Sequence, residues 1–113
     1  MTLSPICKKI TVAVAMLGVV LLPMAVHADD ASAKLYQMKC VACHAADGSG
    51  TSPAGKALKV KDLRDPEVQK QSDADLTAII SKGKDKMPAY EKMLKPDEIK
   101  GLVAQVRELA AKK

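Results

Sequence analysis

The sequence predicts a small all-α domain of three to five helices. Apolar residues recur at spacings of three and four along much of the chain, which is the periodicity of helices with one buried face. Capping residues, glycines and prolines bound these runs where helices would begin and end. No segment shows the period of two that predicts a strand.

The composition indicates that such a domain needs more than its own side chains. The chain has 113 residues, with no Trp, no Phe and two Tyr. So few large side chains give a short chain little apolar area with which to offset its chain entropy. Small scaffolds of this kind are usually completed by disulfides, a metal or a large cofactor. Length and composition exclude a multidomain enzyme, a polytopic membrane protein and a cysteine-rich scaffold.

The N-terminus has the pattern of a secretory signal peptide. Lys8 and Lys9 precede an uncharged run over residues 10–26, and small residues at Val26 and Ala28 form a cleavage site. We therefore predict that residues 1–28 are cleaved and that residues 29–113 form the exported, periplasmic domain. A retained membrane anchor is the alternative, since about 17 apolar residues is the short end of a bilayer span. The acidic pair after Ala28 favours cleavage, which would remove Cys7 and His27 as well.

Four elements are predicted along residues 29–113. Asp30 or Ser32 caps a first helix over Ala31–Cys43. Residues 45–63 are rich in Gly and Ser and lack periodicity, which predicts a long irregular loop. Residues 65–67 open a short helical turn, because a proline suits the first helical position. Ser72 caps a further helix that ends at Gly83 and buries Leu76, Ile79 and Ile80.

The last helix carries the clearest amphipathic pattern. Pro96 opens it, and the acidic pair at 97–98 suits its first turn. Its apolar residues trace one continuous stripe, formed by Ile99, Leu102, Val103, Val106, Leu109 and Ala110. This stripe predicts the main buried face of the domain.

A five-residue motif, Cys40-Val41-Ala42-Cys43-His44, carries the chemistry. C-x-x-C-H is the attachment signature of c-type haem. Residues i and i+3 share one face of a helix, so both thiols can reach the two vinyl groups of one porphyrin, and His44 can ligate the iron. A zinc site would need about four ligands, whereas residues 29–113 offer these three. A thioredoxin-type motif would need a strand before it, and a disulfide across two residues would close a small strained loop.

A methionine is expected as the second axial ligand, because a His/Met pair raises the reduction potential of a haem. Met87 lies in a polar loop, and Pro88 restricts it to an extended backbone. Met38 lies on the opposite side of the first helix from Cys40. Met93 is better explained by packing before the last helix. We predict that Met87 is the ligand.

Together these features resemble the small class I monohaem cytochromes c of bacteria. The resemblance rests on the Cys40–His44 motif, a Gly-rich loop, the segment Gly83-Lys84-Asp85-Lys86-Met87-Pro88-Ala89-Tyr90 and the closing helix, and it covers the chain after the leader. It implies a compact wrap of helices around one covalently attached haem c, held through Cys40 and Cys43, with His44 and Met87 on the iron. It also implies a carbonyl near residues 52–53 that accepts the His44 proton. Tyr36 would pack where the first and last helices cross, with Gln105 in place of the usual aromatic partner.

The predicted function is electron transfer without catalytic turnover. The partners would be a redox protein that donates an electron and another that accepts it, docking near Lys82, Lys84 and Lys86, although these lysines are equally typical of ordinary solvated surface. A monomer is expected, with no nucleic acid and no membrane insertion after cleavage. One alternative is a dedicated haem subunit of a single oxidoreductase. The other is a gas-binding or sensing haem protein, which would require that Met87 is not a stable ligand.

Overall fold

The computed structural model describes residues 15, 18–22 and 28–113, so most of the predicted leader lies outside the described residues. Within them the protein is all-α, as predicted. The helices are α1 (Asp30–Lys39), α2 (Val41–His44), α3 (Pro53–Leu58), α4 (Pro66–Gln69), α5 (Asp73–Lys82) and α6 (Pro96–Ala111). Six helical segments exceed the expected three to five. Strand-like pairing in this part of the chain is limited to one isolated bridge, between Lys84 and Met87.

The first helix differs from its prediction at both ends. Asp29 is the N-cap, and its carboxylate accepts from the Ser32 N–H at 2.7 Å, so neither Asp30 nor Ser32 caps the helix. The helix ends at Lys39, and Cys40 forms a bend before α2. In a continuous helix the Lys39 carbonyl would accept from the Cys43 N–H. It accepts instead from the Tyr90 hydroxyl, and the Cys43 N–H turns to the Cys40 carbonyl.

The predicted irregular loop over 45–63 contains a six-residue helix, so that prediction was wrong in part. The hydroxyl of Ser52 accepts from the Gly55 N–H at 3.1 Å, and Pro53 occupies the first helical position. These two residues form the usual start signal of a helix. The short turn predicted at 65–67 is confirmed as α4.

Helices α5 and α6 follow their predictions, except that Ile79 is half-buried where it was expected to be buried. Ser72 caps α5 through the Asp75 N–H at 3.0 Å, and Gly83 ends it with φ 76°. Five residues of the α6 stripe are buried, and Ala110 is half-buried. Lys95 supplies no side-chain cap to α6, but the Glu98 carboxylate accepts the Lys95 N–H at 2.7 Å. Glu98 therefore satisfies the N–H of Lys95, although the lysine side chain caps none of the following N–H groups.

The core lies where α6 crosses α1 and packs on α5. Its buried apolar residues come mainly from α1, α5 and α6: Tyr36, Val68, Leu76, Ile80, Leu94, Ile99, Leu102, Val103, Val106 and Leu109. At the crossing a Cβ added to Gly101 would meet the Ser32 Oγ, so a larger residue there would require the serine side chain to rotate. Tyr36 and the buried Gln105 line a groove of about 340 Å³ beside this crossing. Both residues are therefore buried near the crossing, and each borders this groove.

No helix within the described ranges combines the length and the apolar character that crossing a membrane requires.

Candidate functional site

The backbone carbonyls of the Cys40–His44 segment all have hydrogen-bond donors nearby. Every carbonyl from Lys39 to Ala45 has a donor within hydrogen-bond distance, and those of Ala42 and Cys43 share the single proton of the Ser52 hydroxyl. Within the segment, the Cys40 carbonyl accepts from the His44 N–H at 2.9 Å, and the Val41 carbonyl accepts from the Ala45 N–H at 3.0 Å. Because backbone groups without partners are costly when they leave water, this pairing favours one conformation of the segment.

Some of these donors come from distant parts of the chain. The Ser52 hydroxyl lies 2.8 Å from the Ala42 carbonyl and 3.1 Å from the Cys43 carbonyl, and the Gly50 N–H donates to the His44 carbonyl at 2.8 Å. Both tyrosines of the chain take part. The Tyr90 hydroxyl donates to the Lys39 carbonyl at 3.1 Å, and the Tyr36 hydroxyl donates to the Ala45 carbonyl at 2.8 Å. The tyrosines therefore bind the two ends of the segment.

Helix α3 packs against this segment with little clearance. A Cβ added to Gly55 would lie 2.2 Å from the Cys43 carbonyl oxygen and 2.3 Å from that of Gly50. Any residue other than glycine would push α3 away from α2. The tight contact fixes the backbone of Cys43, whose side chain is half-buried.

The two cysteines are free thiols. Both are half-buried, and burial raises the pKa of Cys40 to about 11, with the neighbouring Cys43 as a smaller cause. The Cys40 thiol is therefore protonated at neutral pH. In the described part of the chain no three His, Cys, Asp or Glu side chains converge on a position that could hold a metal ion. Two unpaired thiols three residues apart, followed by a histidine, fit a group that bonds each of them separately.

The His44 imidazole is neutral and has an unsatisfied nitrogen. Burial lowers its pKa, and Nδ1 is buried without a hydrogen-bond partner among the described residues. The expected bond to a carbonyl near residues 52–53 is therefore absent, and the Ser52 carbonyl instead accepts the Lys56 N–H at 2.9 Å. A neutral imidazole is the form that ligates iron. The donor set and the buried, unpartnered ring together fit a c-type haem.

Met87 lies in a tight backbone turn that follows α5. Its N–H donates to the Lys84 carbonyl at 2.9 Å, and its carbonyl accepts from the Lys84 N–H at 3.2 Å. A Cβ on Gly83 would lie 2.6 Å from the Met87 carbonyl oxygen, and Gly83 has φ 76°, so glycine suits this position in two ways. The loop is ordered, where the sequence predicted only a polar loop.

The methionines differ in exposure, as expected for Met38 and Met87, whereas the prediction that Met93 packs before the last helix was wrong. Met87 is half-buried and packs against the core cluster, as does Cys40. Met38 is 72% exposed and Met93 is 58% exposed. Met87 is thus the methionine whose side chain faces the interior together with a motif cysteine.

Tyr90 connects the Met87 loop to the cysteine segment. Its N–H donates to the Ile80 carbonyl at the end of α5, and its hydroxyl reaches Lys39, next to Cys40. Sequence reasoning missed this role and that of Ser52. The Ser-Pro start signal at 52–53 could have indicated the helix that positions Ser52, but nothing in the sequence indicates the partner of Tyr90.

Lys82, Lys84 and Lys86 are exposed around the Met87 turn. None of the three forms an ion pair with a described residue. They place positive charge on the surface beside Met87, which the exposed carboxylate of Asp85 in the same turn offsets in part.

Comparison with known proteins gives consistent results. A family model described as cytochrome c oxidase, cbb3-type, subunit III matches residues 27–105, which include the cysteine segment and Met87. Cytochrome c6 of Anabaena variabilis is 36% identical over 74 residues, covering 66% of this chain and 83% of that protein. Cytochrome c6 of Gloeothece citriformis is 37% identical over 82 residues, covering 70% and 69%. A solved c-type cytochrome, KustC0563, is 35% identical with a TM-score of 0.64, covering 69% of this chain and 95% of that one.

Proposed function

The chain belongs to the small monohaem c-type cytochromes, a family of electron-transfer haem proteins, and from that membership we propose that it carries single electrons between two redox proteins in the periplasm. The observation that carries this proposal is the Cys40–His44 segment. It presents two free thiols and a neutral imidazole from a turn in which every backbone carbonyl has a donor within hydrogen-bond distance. Such a turn can hold a cofactor in one orientation through many oxidation cycles.

We assign the roles residue by residue. Cys40 and Cys43 attach one haem c through thioether bonds, His44 is one axial ligand, and Met87 is the other. When bound, the haem supplies the one-electron couple of its iron. The protein supplies the imidazole of His44 and the sulfur of Met87, which favours the ferrous state. It also supplies the apolar core against which Cys40 and Met87 pack. If His44 and Met87 both ligate the iron, they would leave no site on it for a substrate, which supports a carrier without catalytic turnover.

The partners are redox proteins with acidic docking surfaces. The exposed Lys82, Lys84 and Lys86 surround the Met87 turn and lack ion-pair partners among the described residues, which supports this assignment. Charges at the rim of an interface act mainly on the association rate and weaken with salt. The protein works as a monomer in this account.

The family model favours a second candidate. Its description refers to a subunit of cbb3-type cytochrome c oxidase, so a dedicated haem subunit of one oxidoreductase is the alternative to a diffusing carrier. Co-purification of the native protein with one enzyme at a fixed ratio would favour the subunit. Recovery of the protein alone would favour the carrier.

The location follows from the leader. The signal-peptide pattern over residues 1–28 supports export and cleavage after Ala28, which leaves Asp29 as the first residue and as the N-cap of α1. Mass spectrometry of the exported protein measures this directly. A mass that includes residues 1–28 would indicate a membrane-tethered carrier instead.

Covalent attachment and electron transfer are tested together. The exported protein is denatured, and its mass is compared with the masses of Cys40→Ala and Cys43→Ala. We expect one haem per chain in the parent, resistant to acid extraction, and a reversible one-electron titration of its optical spectrum. Haem that is extracted from the parent, or a second haem in its mass, would contradict the proposal.

A further inference from the structure

The residue that follows His44 has a backbone conformation that alanine rarely adopts. Ala45 has φ 63° and ψ 163°. This region of backbone space is populated almost entirely by glycine, because a Cβ collides with the backbone there. The sequence places an ordinary alanine at a position whose geometry suits glycine. Strained residues persist only where surrounding contacts hold them, and they concentrate at functional sites.

The contacts that hold Ala45 can be identified. Its carbonyl accepts from the Tyr36 hydroxyl at 2.8 Å and from the Gly48 N–H at 3.2 Å, and its N–H donates to the Val41 carbonyl at 3.0 Å. The bond from Tyr36 is the shortest of the three. It is also the one that comes from outside the segment between residues 41 and 48.

Tyr36 is well suited to hold a strained backbone. Its side chain is 2% exposed and belongs to the core cluster with α6, so its hydroxyl has little freedom to follow a moving acceptor. The ring also enters the core from α1, the helix that leads directly into Cys40. The hydroxyl therefore connects the end of the cysteine segment to the buried core of the domain.

The strain lies at the point where it affects His44. Ala45 ends α2, and its conformation reverses the chain so that the His44 carbonyl meets the Gly50 N–H at 2.8 Å. If Ala45 relaxed to an ordinary conformation, the peptide between residues 44 and 45 would rotate and the His44 side chain would turn with it. Orientation of an axial histidine is set by such surroundings.

We propose that Tyr36 is a positioning residue for His44: its hydroxyl holds Ala45 in the glycine-like conformation, and this fixes the direction of the imidazole. The inference rests on the proposed function, in which His44 is an axial ligand. It makes one specific prediction. A glycine at position 45 adopts the same conformation without strain, so the protein with glycine no longer needs the Tyr36 hydroxyl to orient His44.

The test is a set of haem-loaded variants: Tyr36→Phe, Ala45→Gly, the double variant, and Tyr90→Phe with and without Ala45→Gly. Tyr90→Phe is the matched control, because it removes the same type of bond from Lys39, the last residue of α1. The readouts are the hyperfine-shifted NMR signals of the His44 ring in the ferric protein and the midpoint potential. Unfolding by guanidinium chloride is measured in parallel.

We expect Tyr36→Phe to shift the His44 ring signals and the midpoint potential, and the double variant to return both to the values of Ala45→Gly alone. Unfolding should behave differently. In the Ala45→Gly background, Tyr36→Phe should still raise the unfolding constant by about fivefold or more, because the hydrogen bond is lost there as well. Changes caused by Tyr90→Phe should be the same on both backgrounds. A purely structural Tyr36 would lower stability without this rescue of the ligand signals.

Two results would overturn the inference. One is a Tyr36→Phe protein with unchanged His44 signals, and the other is a shift that Ala45→Gly fails to reverse. A parent protein without hyperfine-shifted His44 signals would instead contradict the proposed ligation, so the two failures are distinguishable. If Tyr36→Phe does not yield haem-loaded protein, the stability of Ala45→Gly tests the backbone strain on which the inference depends. Relief of strain should lower its unfolding constant, whereas an unstrained site predicts a rise of about threefold from the flexibility of glycine.

Discussion

Gly55→Ala tests whether the cysteine segment depends on its close contact with α3. Gly55 is helical, so helix propensity alone predicts that alanine stabilises the protein by about 1 kcal/mol. The structure predicts the opposite. The new Cβ would lie 2.2 Å and 2.3 Å from two backbone oxygens, and such contacts are essentially never observed below 3.0 Å. Backbone must move by about 1 Å to relieve them.

Overpacking of this kind costs about 1–3 kcal/mol, and here the atoms that must move are backbone rather than the ends of flexible side chains. Because backbone must move, we take the upper end of this range, and the propensity gain of about 1 kcal/mol reduces it, so we expect Gly55→Ala to lower the free energy of unfolding by about 2 kcal/mol. The assay is guanidinium chloride unfolding of the haem-loaded protein. Ala57→Gly, at an exposed position of the same helix, is the control and should cost about 1 kcal/mol. A Gly55→Ala protein more stable than the parent would show that the contact between α3 and the cysteine segment is not as tight as the structure indicates.

Three further predictions concern stability. Lys59 ends α3 with φ 54°, so Lys59→Gly should raise the free energy of unfolding by about 0.5–1 kcal/mol, as measured by denaturant titration. The Arg107 guanidinium donates to the Asp73 carboxylate and to two backbone carbonyls at the link between α4 and α5, those of Gln69 and Gln71. Arg107→Ala should therefore lower the free energy of unfolding by about 2 kcal/mol, and Arg107→Lys should restore less than half of that loss. Hydrogen bonds from Arg64 lower the pKa of Asp62 from 3.8 to about 2. The folded state therefore favours the ionised carboxylate of Asp62. The stability that this carboxylate contributes is present above pH 4 and is lost as pH falls towards 2. The free energy of unfolding of the parent and of Asp62→Asn is measured at each pH. The difference between the two should decrease by about 1 kcal/mol as the pH falls from 4 to 2. A difference that does not change with pH would contradict the assignment.

The helices that the sequence predicts well are those whose signals agree at several levels. For α5, the Ser72 cap, the apolar face and the Gly83 stop all indicate the same ten residues. Helix α3 was missed because its surroundings are rich in Gly and Ser, although Ser52 and Pro53 carry a start signal. The bend at Cys40 could not be predicted, because it depends on Tyr90, which is distant in sequence and competes for the Lys39 carbonyl.

The candidate site also has a part that the sequence predicts and a part that it does not. The thiols, the imidazole and Met87 are predicted by local spacing and by the restrictive effect of Pro88. The hydrogen bonds that orient them come from Tyr36, Ser52 and Tyr90, and tertiary contacts of this kind leave no periodic trace in a sequence. The conformation of Ala45 is contrary to what the residue type predicts, since a sequence reader expects glycine where φ is positive and ψ is extended.

The most direct test of the central claim is an optical measurement on the haem-loaded protein. The near-infrared band of sulfur-to-ferric-iron charge transfer is recorded for the parent and for Met87→Ala, with the exposed Met93→Ala as the control, and carbon monoxide is then added to each ferrous form. We expect the band in the parent and in Met93→Ala, its loss in Met87→Ala, and a carbon monoxide response in Met87→Ala alone. A parent that lacks the band and binds carbon monoxide at once would show that Met87 is not the ligand, and the protein would then be a gas-binding haem protein rather than an electron carrier.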